Sequence, residues 1–250
     1  MDLVILTTES QVGDQLLTPA GLPDAGIVPE PIQLPYVNRY ASVWQYDRDV
    51  RDGKIDWDVV LGSRCPVCGV LDCHREITAY ERVVIELFPF RRARIQVPRF
   101  LCRTRGVTAS LLPHQLAPYH QYTIESMVLA LLLVFQVCAE DGVGVLAALE
   151  ELPADSGVTP WLLACWLVTV LRGFRRAHAV LAGWAMLDGL RAARGWQGRL
   201  AEVHAYCSAF SPRGPPGPAG LRRLVRRYSA TAGRHLVGRP SQDRGRGRPR

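Results

Sequence analysis

Residues 102–106 read Cys-Arg-Thr-Arg-Gly. This is the outline of a metal-binding knuckle, Cys-x-x-Cys-Gly, with Arg105 where the second cysteine belongs. An intact knuckle, Cys-Pro-Val-Cys-Gly, stands earlier at 65–69. Two cysteines separated by two residues can grip one ion from a tight turn, and the following glycine lets the chain reverse. Zinc takes about four such ligands in a tetrahedron, and thiolate and imidazole suit it. Whether 102–106 is half of such a site decides how the chain folds.

The residues between the knuckles read as a β-hairpin. In Tyr80–Leu87, "YERVVIEL", Val83, Ile85 and Leu87 alternate with Arg82, Val84 and Glu86. In 92–100, "RARIQVPRF", Ile95 and Val97 alternate with Arg94, Gln96 and Pro98. This period of two predicts strands, and "FPFR" between them predicts the turn. Pro98 predicts a sheet edge or a strand end. A hairpin placed there returns the chain so that Cys102 can join Cys65 and Cys68 around one zinc ion. Arg105 offers only donors and cannot ligate. Cys73 is the expected fourth ligand and His74 the alternative. The competing expectation is a site that has lost its metal and keeps free thiols. A redox role for "CPVC" would require a helix starting at the motif, and "GVLDCHRE" does not predict one. Cys138, Cys165 and Cys207 read as small core hydrophobes.

From residue 120 the period changes to that of a helix. Thr123 is a good N-cap, followed by Ile124, Met127, Val128, Leu131, Leu132 and Phe135 on one face. "EDG" at 140–142 should end that helix. A short helix is expected to Leu152, then a turn at "PADSG". Thr159 caps a third helix with Pro160 in its first position, carrying Trp161, Leu162, Cys165, Trp166 and Val170. A further helical stretch is expected from about Phe174 to Arg194. Residues 211–220, "SPRGPPGPAG", read as a linker, and 221–228 as one or two helical turns formed on binding. The remainder is of low complexity.

Charge divides the 250-residue chain. Residues 1–156 hold 20 acids and 13 bases, whereas 157–250 hold 3 acids (Asp188, Glu202, Asp243) and 17 arginines. So basic a half favours a polyanionic partner. Arg172, Arg175 and Arg176 flank the end of the third helix. Arg222, Arg223, Arg226 and Arg227 form a stripe suited to phosphates. Arg246-Gly247-Arg248-Pro249 has the form of a minor-groove hook. With a single lysine, Lys54, the chain also carries a GC-rich codon bias that inflates its arginine count.

Other classes are disfavoured. The odd number of cysteines, seven, and an N-terminus without a basic segment predict a cytoplasmic protein rather than a disulfide framework. The longest apolar run, Met127–Phe135, is half the length of a membrane span. No phosphate loop or Gly-x-Ser-x-Gly elbow is present. The three acids after Asp155 cannot build a two-metal nuclease core. A non-enzymatic protein is expected.

"CPVCG", the hairpin and the following "RFLCRTRGVTASLLPHQLAPYHQYTIESM" together resemble a bacterial transposase-like family of unknown function, over about residues 60–175. Its members combine a zinc ribbon with a helix-turn-helix segment. The matching elements are Cys102, Gly106, Thr108, Leu111-Leu112-Pro113 and Tyr122-Thr123, and later Thr159, Trp166 and Arg172. The resemblance implies a structural zinc and DNA binding. The chain departs from the pattern at Arg105. It departs again in its third helix, whose start, "TPWLLACWLV", offers few side chains to base edges.

The expected fold class is therefore α+β. It comprises an irregular segment (1–59), a zinc-ribbon-like hairpin (60–119), a helical, helix-turn-helix-like region (120–210) and a basic low-complexity tail (211–250). The expected function is DNA binding. The alternative is a metal-free remnant, or an interaction module that joins itself or another protein through its apolar helices. Exposure of Trp161, Trp166 and Trp184 would favour that alternative.

Overall fold

The computed structural model describes residues 40–65, 67–185, 187, 190, 192–211, 217–232 and 235–237. The fold is α+β: one three-stranded antiparallel sheet in the order β1-β2-β3, and seven α-helices among the described residues. The strands are β1 (His74–Leu87), β2 (Phe90–Cys102) and β3 (Val107–Ser110). Helices α1 (Val43–Arg51) and α2 (Trp57–Leu61) precede the sheet. Helices α3 (Ile124–Glu140), α4 (Val145–Ala148), α5 (Pro160–Ala182), α6 (Gly195–Ala209) and α7 (Pro218–Ala232) follow it.

The expected hairpin forms, and it is longer than its alternating core suggested. Directly paired residues point to the same face of an antiparallel ladder. Val84 pairs with Ala93, Arg82 with Ile95, and Tyr80 with Val97. That face carries Val84, Ile95 and Val97 into a core shared with Tyr40, Val43, Tyr46 and Phe100. The opposite face carries Ile85 and Leu87 into the helical core. The hairpin therefore separates two cores and belongs to both. Pro98 lies inside the central strand rather than at an edge. The ladder shifts register between Ile77 and Tyr80, so that two β1 residues face one on β2, and Pro98 occupies that bulge. There its missing N–H removes no ladder bond.

The start of α3 is pinned to β1. The Ile85 N–H donates to Gln121 (2.9 Å), the Thr123 N–H donates to the Ile85 carbonyl (3.1 Å), and the Leu87 N–H donates to Ser126 Oγ (2.9 Å). Thr123 is the N-cap, its hydroxyl accepting from the Ser126 N–H. Thr159 caps α5 in the same way, accepting from Leu162, with Pro160 first. Tyr122 meets Trp166 edge to face at 4.6 Å, and its hydroxyl donates to the Ser156 carbonyl at 2.6 Å.

Three expectations change. The segment up to residue 59, expected to be irregular, contains α1. Val43 and Tyr46 are fully buried on one side of it, and the Tyr46 hydroxyl donates to the Leu111 carbonyl at 2.6 Å. One apolar residue per turn suffices because α1 has only to cover one sheet face. Second, α5 runs unbroken through Phe174 to Ala182, and a separate helix, α6, begins at Gly195. Third, α7 is a 15-residue helix that buries Leu221, Leu224, Val225 and Tyr228. Each such burial contributes roughly 1.5–3 kcal/mol, which holds a helix too short to be stable alone. The N-terminal segment before residue 40 lies outside the described residues.

The chain after α7 crosses α5 at Gly173. His235, Leu236 and Val237 are buried, and a Cβ on Gly173 would collide with the Leu236 carbonyl oxygen. Helix propensity alone would make Gly173→Ala favourable by about 1 kcal/mol. The collision is with backbone, which cannot swing aside, and overpacking of this kind costs about 1–3 kcal/mol. Gly173→Ala is therefore expected to lower the thermal midpoint, whereas an alanine at the exposed Gly183, whose Cβ would meet only an ordinary contact, should leave it within a degree or so of wild type. Thermal denaturation of the two variants checks this.

Candidate metal centre

Four cysteines converge at the open end of the hairpin. Cys65, Cys68, Cys73 and Cys102 place their sulfurs within 4.8 Å of one another, all but Cys68 buried. Cys73 Sγ lies 3.1 Å from Cys68 Sγ and 3.7 Å from Cys102 Sγ. Sulfurs bound tetrahedrally at about 2.3 Å stand roughly 3.8 Å apart, so little movement would close the set on one ion.

Local folding explains the convergence. In the first knuckle the Gly69 N–H donates to the Cys65 carbonyl at 2.7 Å. In 102–106 the Gly106 N–H donates to the Cys102 carbonyl at 2.8 Å. Both glycines hold positive φ, 75° and 65°, a backbone that other residues adopt with strain. The stretch Cys-Arg-Thr-Arg-Gly thus keeps the turn of an intact knuckle while Arg105 stays outside the sulfur cluster. Cys73 takes the vacated place. It directly precedes β1, and its carbonyl accepts from the Arg103 N–H at 3.0 Å. A short return, with the Cys65 N–H on Val70 (2.9 Å) and the Asp72 N–H on Ser63 (2.8 Å), brings Cys73 back over the first knuckle. His74 is not in the cluster. It opens β1 opposite Cys102 in the ladder, with its ring edge to face against Phe100.

The thiols are electrostatically unequal. Burial pushes the Cys102 thiol up to about 12 and raises Cys65 as well. Burial also works against ionisation of Cys73, but hydrogen bonds from Cys68, Thr104 and Cys65 outweigh it and bring that thiol down to about 6. Without a cation the cluster favours a thiolate at Cys73 beside protonated Cys65 and Cys102. A divalent cation supplies the missing positive charge and displaces the remaining protons. The arrangement can hold one metal ion as a closed four-sulfur site, without the open position that catalytic sites keep.

The other cysteines stay apart from the site. Cys207 is buried in the helical core with its thiol raised to about 12 by that burial, and Cys138 and Cys165 are half-buried on α3 and α5.

The arginines divide by role. Arg175 forms a paired contact with Glu202, at 2.7 and 2.5 Å, and Glu202 is buried and also accepts from the Ala193 N–H. Burial opposes ionisation of Glu202, but these bonds hold its carboxyl below the usual range. Arg176 donates to the carbonyls of His235 (3.2 Å) and Leu236 (3.4 Å). Both arginines therefore hold the helical core together. Arg172 is exposed on α5. On α7, Arg222, Arg223, Arg226 and Arg227 are all exposed on the side away from the core. Arg222 turns to Glu125 on α3 at 2.6 Å, and Arg227 lies over the Trp184 ring at 4.3 Å. Arg246 and Arg248 lie outside the described residues. The pairing of Trp184 with Arg227 has no signal in the sequence, because it joins the end of α5 to α7 across more than forty positions.

No family model matches the chain, and no curated protein and no solved structure matches it. Among the described residues, no helix is long and apolar enough to cross a membrane.

Two predictions test the centre. Cys73→Ser is expected to weaken metal binding by more than about 100-fold, since even outer-shell partners typically carry 10–100-fold. His74→Ala is expected to leave metal content unchanged; metal counted per chain decides between them. Because Cys102 and Cys65 are raised, loading at neutral pH releases protons. Affinity measured by competition with a chromophoric chelator should therefore fall as pH is lowered from about 8 to about 6, and fall further once Cys73 itself is protonated.

Proposed function

We propose that the chain is a non-enzymatic DNA-binding protein in which one structural zinc ion, held by Cys65, Cys68, Cys73 and Cys102, fixes the open end of a ribbon-like hairpin. Four clustered thiolates in a closed, part-buried site suit zinc. The arginine face of α7 supplies phosphate contacts. The observation that carries this proposal is the segregation on α7. Four apolar residues anchor the helix, while four arginines stand exposed on the other side. Arg222 pairs with Glu125, and the 60 or so residues from Gly157 onward hold few acids to neutralise the other three, the one described there, Glu202, being taken by Arg175.

Kinship with the DNA-binding front part of a transposase-like family belongs to the same proposal. It is supported by the knuckle turn kept at 102–106 and by the two buried leucines, Leu111 and Leu112, before Pro113. A helix-turn-helix role for α3 to α5 has less support. The first turn of α5 exposes Trp161 rather than polar side chains, so binding through phosphates is favoured over base reading. The alternative, a protein-interaction module, draws on that same exposed Trp161 and on exposed Leu146. Trp166 adds nothing to it, being fully buried.

Removing residues 211–250 is not a clean test, because it would strip the buried side of α7 from the core. Charge substitution is. Zinc should be present at one ion per chain in protein purified without chelator. Affinity for duplex DNA should fall with salt. Arg222→Ala, Arg223→Ala, Arg226→Ala and Arg227→Ala combined should flatten the log–log slope by about 0.9 for each phosphate no longer neutralised. Absence of zinc, or affinity indifferent to salt and to the four substitutions, would contradict the proposal.

A further inference from the structure

The basic face of α7 borders a groove of about 530 Å3, lined by Trp184, Phe210, Leu224, Arg223, Arg226 and Arg227 among others. Its volume falls in the roughly 300–1,000 Å3 range of small-ligand pockets. It combines two surfaces. One is aromatic and flat: Trp184 is half-buried, and the Arg227 guanidinium lies over its ring at 4.3 Å. The other is cationic: Arg223, Arg226 and Arg227 follow one another at i, i+3 and i+4, which puts them on one side of the helix. Among the described residues no acid lines this groove, and the remaining member of the stripe, Arg222, turns away to Glu125 on α3.

A duplex would use only part of this surface. Its phosphates can meet the three guanidinium groups, but its bases are stacked and paired, out of reach of a concave aromatic floor. A single strand can do both. Its backbone runs along the arginine row while an unpaired base enters the groove and lies on the Trp184–Arg227 plate. Bases stack on guanidinium planes as they do on aromatic rings, and such stacking tolerates any base because every base has a π-face. Resting on the nucleic-acid-binding proposal above, we infer that this groove is a single-strand site: Arg223 and Arg226 hold phosphate, and Trp184 with Arg227 receives an unpaired base.

The test uses the full chain and three ligands matched in length: a labelled oligothymidylate, a duplex, and an abasic strand with the same backbone. Fluorescence anisotropy at one salt concentration reads their affinities. The site predicts that oligothymidylate binds about 5- to 150-fold more tightly than the abasic strand, the range expected for stacking of a base. Arg227→Lys keeps the charge but removes the flat plate, and Trp184→Leu removes the ring beneath it. Each should abolish that difference. Because Trp184 also packs against the core, Arg227→Lys decides the matter if Trp184→Leu fails to fold. Equal affinity for oligothymidylate and abasic strand, or a difference that survives Arg227→Lys, overturns the base site. If duplex binding remains salt-dependent in that case, the DNA-binding proposal stands. If none of the three binds, both fall.

Discussion

The register of one hairpin is the constraint on which the rest of the molecule depends. Because side chains alternate across a strand, a shift of one residue would exchange every face. In the observed register Val84, Ile95 and Val97 meet α1, while Ile85 and Leu87 meet α3 and the helices behind it. The same register sets His74 against Cys102. It therefore delivers Cys73, one residue earlier, to the base of the second knuckle. The two cores and the sulfur cluster follow from a single pairing. A metal ion at the open end would clamp the register where the ladder begins, far from the turn that closes its other end.

The sequence made some of this legible and concealed the rest, for identifiable reasons. The hairpin was readable because its strands alternate, and the starts of α3 and α5 because Thr123 and Thr159 precede clear apolar stripes. The four-sulfur cluster was readable because cysteines at knuckle spacing flank that hairpin and Cys73 was the nearest remaining thiol. Helix α1 was hidden by its charge: Val43 and Tyr46 are sparse apolar signals among aspartates and arginines. Helix α7 was hidden by composition. Leu221, Leu224, Val225 and Tyr228 do follow helical spacing, but pairs of arginines after a run of prolines and glycines have the composition of a disordered tail. Pro98 misled because a bulge, which depends on the partner strand, removes the penalty that proline normally carries in a central strand. The Trp184–Arg227 contact joins residues distant in the chain and leaves no local pattern at all.

The arginine excess resolves into distinct physical roles. Arg175 and Arg176 neutralise a buried carboxylate and tie down two carbonyls, so their removal would loosen the helical core before it affected any ligand. Arg82 does similar work on the sheet, donating to the carbonyls of Ala117 and His120. Of the arginines on α5 and α7, Arg172 and the outer side of α7 are turned to solvent, whereas Arg175, though exposed, is held by Glu202. A stripe that looked uniform in sequence is in fact divided, with Arg222 committed to Glu125 and its three neighbours grouped around a groove. Positive charge in this chain is thus partly structural cement and partly a directed surface, and the partners each guanidinium takes distinguish the two.

The most direct test of the central claim is X-ray absorption at the metal edge of protein loaded with zinc. The account predicts a shell of four sulfurs at about 2.3 Å, with no lighter atom in the first shell. A mixed shell of three sulfurs and one nitrogen or oxygen at about 2.0–2.1 Å would place His74 or water where Cys73 is assigned, and would contradict it.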